Sequence, residues 1–122
     1  MTLTERVRKV LASQAEIEAD EERADALRVP GCCPVAALPH RERASVSGVL
    51  RSVTLRPREG VPAIEAELYD GSGSLNLVWL GRRQIVGIEP GRRLKVDGMV
   101  SLVDGRRTVF NPRYELRARP GE

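Results

Sequence analysis

The stretch AIEAELYDGSGSLNLVWL, residues 63–80, alternates apolar and polar side chains on both sides of a four-residue turn. Ile64, Ala66 and Leu68 share one parity and Glu65, Glu67 and Tyr69 the other. After Asp-Gly-Ser-Gly, Leu75, Leu77 and Trp79 fall together and Leu80 opposes them. A period of two means two strands with one face buried, and the short turn makes them neighbours. Trp79, the only tryptophan, stands just before Arg82 and Arg83, where an exposed indole could stack on a base. Its parity with Leu75 and Leu77 instead predicts a plug at the end of a core, with a polar exit for the indole N–H. Tyr69 has the opposite parity, which predicts an outward ring. It is the better stacking candidate, although an exposed strand tyrosine is also simply a good strand former.

The same alternation extends both ways. In ASVSGVLRSVTL, residues 44–55, Ala44 and Val46 occupy even positions, whereas Val49, Val53 and Leu55 occupy odd ones. A parity switch around Gly48 predicts a β-bulge that bends a long first strand. Downstream, GRRQIVGIEPG (81–91) predicts a short helical or irregular connection, and RRLKVDGMV (92–100) alternates again. Asp104-Gly105 marks a hairpin turn into RTVFNPRYEL (107–116), a final strand ended by Pro112. Five strands, the first long and bent, with an interruption between the third and fourth, follow the order of the OB-fold Greek-key barrel. A five-stranded SH3-like barrel, the nearest competitor, would lack that interruption.

Residues 3–27 carry Leu3, Val7, Val10, Leu11 and Ile17 at near-helical spacing, with Thr2 or Thr4 as N-cap. The apolar stripe is narrow and its later part carboxylate-rich, which predicts packing on a partner or on the side of the barrel. VPGCCPVAALPH (29–40), with three prolines, reads as a linker. The expected organisation is a helical extension over 1–28, a linker over 29–40, a mainly β, five-stranded barrel over 41–117 and a tail over 118–122.

Residues 1–30 hold five basic against seven acidic side chains, and residues 31–122 fifteen against ten. The basic part suits a polyanion. All but one of its fifteen cations are arginine, which forks onto phosphate and stacks on bases as lysine does not. Cys32, Cys33 and His40 are too few and wrongly spaced for a structural zinc site. Neither a metal nor any other cofactor is expected, and the adjacent cysteines read as packing or linker residues. No apolar run reaches the roughly 18 residues of a membrane span, and the charged N-terminus lacks the pattern of a signal peptide. The expected location is the cytoplasm. No nucleophile–base set is suggested by position, and Glu65 with Glu67 looks like strand solvation, so an enzyme is not expected.

From about residue 41 to 116 the chain resembles the OB-fold nucleic-acid-binding domains of bacteria, particularly the wedge domain of the RecG helicase and free-standing actinobacterial OB-fold proteins. The matching segments are SGVLRSV, AELYDGSGSLNLVWL, GRRLKVDGMV and VFNPRYEL, in that order. The resemblance implies a barrel that touches single-stranded or branched DNA or RNA. Two departures stand out. There is no phosphate-loop motif for a motor, and Val78 and Leu80 stand where related domains carry exposed aromatics. The groove of such a barrel is flanked by loops 1–2 and 4–5, which here offer Arg56, Arg58, Arg106 and Arg107. Arg51 on the first strand, Arg82 and Arg83 on the connection, and Tyr69 complete the candidate set. Any one of these arginines reads equally well as a solvated charge. A rival reading makes the barrel a scaffold and the N-terminal helix a docking element for another protein or a second copy.

Overall fold

A computed structural model describes residues 2–118. Helix α1 (Leu3–Leu27) leads through a single 3-10 turn (Val35–Ala37) into strands β1 (Arg43–Leu55), β2 (Ala63–Tyr69), β3 (Ser74–Leu80), β4 (Arg93–Val103), β5 (Arg106–Phe110) and β6 (Arg113–Leu116). The sheet order β1-β2-β3-β5-β4, with β4 pairing back onto β1, closes a barrel. Every pairing is antiparallel except β3 with β5, which join in parallel at Asn76↔Thr108 through Val78↔Phe110. This is the predicted OB-fold, preceded by the predicted helix.

Alternation in the sequence becomes the inside of the barrel. Val46, Leu50, Ile64, Ala66, Leu68, Leu75, Leu77, Leu94, Val96, Val100 and Val109 form one buried cluster, and Trp79 closes it. The Trp79 Nε1–H donates to the Pro112 carbonyl at 3.1 Å, and its ring meets Tyr114 edge-on, with centroids 5.8 Å apart. The indole therefore plugs the core and has the polar exit it needs.

Two details differ from the sequence reading. The register shift of β1 lies between Leu50 and Ser52, leaving Arg51 as the extra residue, and not at Gly48. Gly48 has another purpose: β1 passes so close to β2 there that a Cβ would overlap the Tyr69 carbonyl oxygen. The final strand is not ended by Pro112 but broken there. Asn111 takes a positive φ of 50°, Pro112 is buried, and the chain resumes as β6 along the first residues of β4. The connection 81–92 takes the irregular form of the two expected, and Ile85 and Ile88 from it enter the core.

The segment 29–40 also supplies core. Val35 is fully buried and Leu38 nearly so. Its place is fixed by the β2–β3 turn, where the Val35 N–H donates to Asp70 Oδ2 at 2.9 Å. Asp70 is itself buried, and its Oδ1 accepts from the Ser72 and Gly73 N–H groups and the Ser72 hydroxyl. Four donors converge on this carboxylate, which satisfies the demand that a buried polar group be hydrogen-bonded.

Helix α1 begins with a capping box. Thr2 Oγ1 accepts from the Glu5 N–H, and the Glu5 carboxylate accepts from the Thr2 N–H. No basic residue occupies its last turn, and Glu22 and Asp25 oppose the helix dipole there. The barrel supplies the missing cations. Arg93 grips Glu22 with both terminal nitrogens, at 2.6 and 2.8 Å, and reaches Asp25 at 3.0 Å. Arg117 meets Asp25 at 2.6 Å and the Ser47 hydroxyl at 3.2 Å. The hydrogen bond from Arg117 holds the Asp25 carboxyl below its ordinary pKa, and Glu22 raises that of Arg93. Gly71 lets α1 sit down on the β2–β3 turn, because a side chain there would collide with the Ala19 carbonyl and the Arg23 backbone.

Candidate nucleic-acid interface

The outer face of β1, β2, β3 and β5 is polar at one end and carries Val78, Leu80 and Phe110 at the other, because the even residues of β2 and the odd residues of β3 are spent on the core. Ser52 and Thr54 from β1, Glu65 and Glu67 from β2, and Asn76 from β3 line a shallow concavity there. Arg56 enters it from the β1–β2 loop and Arg106 from the start of β5. Both loops reach this position through tight turns with positive φ at two successive residues: Glu59 and Gly60 in one, Asp104 and Gly105 in the other. The second is the Asp-Gly hairpin read from the sequence, and its shape fits the twist of paired strands.

Each carboxylate on this face accepts one side-chain hydrogen bond. Glu67 accepts from the Ser74 hydroxyl at 3.0 Å, and Glu65 accepts from Asn76 Nδ2 at 3.1 Å. Arg58 lies 3.5 Å from the other Glu65 oxygen, and its guanidinium stands 5.7 Å from the centre of the Phe110 ring. Glu65, Val78 and Phe110 are successive neighbours across β2, β3 and β5. Arg58 therefore crosses above Val78, which is fully buried although it faces outward. The arginine offsets the charge of one carboxylate and lies beside an aromatic ring.

The eight residues singled out by sequence occupy five settings. Arg56 and Arg106 share the concavity. Arg107, beside Arg106 along a second shallow surface, donates to the Ala36 carbonyl at 3.3 Å and ties the 3-10 turn to β5. Arg58 lies across the face as described. Tyr69 is on the outer side of β2 and half-buried, with the Arg51 guanidinium 3.3 Å above its ring centre. The β1 bulge is what swings Arg51 over that ring. Arg82 and Arg83 are exposed on the irregular connection and line neither concavity. The sequence reading missed Phe110 and Asn76. The alternation of β5 and β3 was the available signal for both, because it turns them outward.

The two cysteines are free and half-buried, and burial pushes the Cys32 thiol above its usual pKa. Among the described residues, no helix is long and apolar enough to cross a membrane.

No protein-family model and no curated protein matches the chain. Solved structures do. A structure of RecG bound to a three-way DNA junction is similar over 74% of this chain, with a TM-score of 0.57 and 20% identity. A structure of a replication protein A heterotrimer bound to single-stranded DNA is similar over 75%, with a TM-score of 0.51 and 12% identity. The matched region spans 13% of the RecG chain and 69% of the replication protein A chain. At these identities the likeness is one of fold, and the fold is the OB barrel.

Proposed function

We propose that the chain is a non-catalytic OB-fold module that binds single-stranded or branched nucleic acid with weak sequence preference. The observation that carries this reading is the convergence of Arg56 and Arg106, from two different loops, on one polar concavity of the barrel. Two exposed guanidinium groups can hold backbone phosphates on a path that avoids Glu65 and Glu67, the two carboxylates that share the concavity. The Arg51–Tyr69 pair supplies a flat cationic surface on which a base stacks. The printed descriptions of the two similar structures, one with a DNA junction and one with single-stranded DNA, support the same class of ligand. Arg58 and Arg107 have structural partners and contribute mainly by offsetting Glu65 and holding the 3-10 turn.

Fluorescence anisotropy of labelled single strands tests this. Affinity should fall as salt rises, with a log–log slope of about −0.7 per phosphate held. Arg56→Glu with Arg106→Glu should lower affinity at least about tenfold, since each replaces a phosphate contact with a repulsion. Both side chains are exposed, so circular dichroism should be unchanged. Unaltered binding by this folded double variant would remove the concavity as the site.

A second reading is favoured by one specific observation. The apolar stripe of α1 is open: Leu3, Val7, Val10, Leu11 and Ile17 are all exposed. On that reading α1 docks the barrel onto another chain.

A further inference from the structure

Contact between α1 and the barrel begins at Ala19, against Gly71, and continues through Glu22, Arg23 and Asp25. Residues 3–18 therefore project by roughly 24 Å at 1.5 Å per residue. A free-standing helix of that length is marginal in water, and this one leaves Leu3 78%, Val10 59% and Ile17 56% exposed. Leu3, Val7, Val10, Gln14 and Ile17 follow one another by alternating steps of four and three, the seam spacing of a paired helix. Ala19, Glu22, Arg23 and Ala26, which face the barrel, lie roughly 150° around the helix from that seam. Docking on the barrel therefore leaves the seam open along its length.

Charge along the helix says what covers it. Residues 3–13 carry three basic side chains and one acidic, whereas residues 14–27 carry six acidic and one basic. We propose that the seam is covered by the same segment of a second copy, running antiparallel about a two-fold axis; this rests on the reading of α1 as a docking element. Antiparallel pairing lays the basic half of each helix on the acidic half of the other and opposes the helix dipoles. Parallel pairing would stack like charges. With Val10 facing the partner's Gln14 and Val7 the partner's Ile17, Arg6 comes opposite the partner's Asp20, twice by symmetry. A register one heptad away would set Arg6 against the uncharged Ser13 instead. Gln14, a polar residue in the seam, weakens the pairing. The pair would carry its two barrels at opposite ends, each with its polar concavity open to a strand.

Sedimentation velocity from about 1 to 100 µM on the full chain tests this, with circular dichroism confirming that each variant is folded. The parent should sediment as a dimer that dissociates on dilution. Val7→Glu with Val10→Glu should abolish it. Arg6→Glu and Asp20→Arg should each weaken it about tenfold, and the double variant should regain the parental constant within a few-fold, because both ion pairs return with reversed polarity. A parent that stays monomeric overturns the second-copy occupant. A dimer broken by the valine changes but indifferent to the charge reversals overturns the antiparallel register and keeps α1 as a docking element. A dimer indifferent to all four variants overturns both.

Discussion

Trp79 and Tyr69 sit on neighbouring strands with opposite parity, and their surroundings differ accordingly. Trp79 is 5% exposed, with its N–H bound to the Pro112 carbonyl. Replacing it by Ala should destabilise the barrel by about 3–5 kcal/mol in chemical denaturation, the range for a large aromatic removed from a core. Tyr69→Ala should cost far less stability but lower affinity for single strands by about 1–3 kcal/mol, leaving the salt slope unaltered because stacking neutralises no phosphate. Equal stability losses would mean that Tyr69 is a packing residue. Both orientations were legible from parity alone. The reason for Gly48 was not, because the demand for a missing Cβ comes from the Tyr69 carbonyl on another strand. With Val49 and Leu50 both apolar, the switch of parity could be placed on either side of them.

At the scale of elements, α1 is held by its second half alone, through Glu22 and Asp25. These pairs are more than two-thirds shielded, so they escape the weakness of fully exposed ion pairs. Asp25 has a depressed folded pKa, so its contribution is complete above the ordinary carboxylate value of about 3.9 and is lost as pH falls through the lower folded one. Docking of α1 should therefore be indifferent to pH between about 5 and 8 and fail only in stronger acid. At neutral pH, Asp25→Asn should speed amide exchange in residues 18–27 and leave the barrel strands unchanged, as read by mass spectrometry. Unchanged exchange would place the hold elsewhere, in the seat on Gly71. The helix and its stripe were legible from spacing. Its cation partners were not, since Arg93 and Arg117 lie 68 and 92 residues beyond Asp25. The candidate site divides the same way: loop positions made Arg56 and Arg106 visible, while the hold of Arg58 on Glu65 and Phe110 depends on pairing across three strands.

The whole barrel depends on more chain than its strands. Val35 and Leu38, in the segment that reads as a linker, fill the end of the core beside the β2–β3 turn. Three residues of 3-10 helix among prolines have no period to read, which is why their burial escapes a pattern-based reading. Each buried side chain of this kind contributes about 1.5–3 kcal/mol, a large part of the roughly 5–15 kcal/mol by which a domain is stable. A chain starting at Cys33 should melt cooperatively, and one starting at Arg41 should melt far lower or not fold. Equal melting temperatures would return the segment to linker status. The parallel seam between β3 and β5 also governs how the molecule is reached. Asn76 pairs with Thr108, 32 residues further along the chain, and Arg43 with Met99, 56 residues further. Such distant partners make loop closure the slow event, so refolding should take milliseconds to seconds although the β2–β3 and β4–β5 hairpins form in microseconds. During that interval the half-built sheet has open edges, each a template for pairing with another chain.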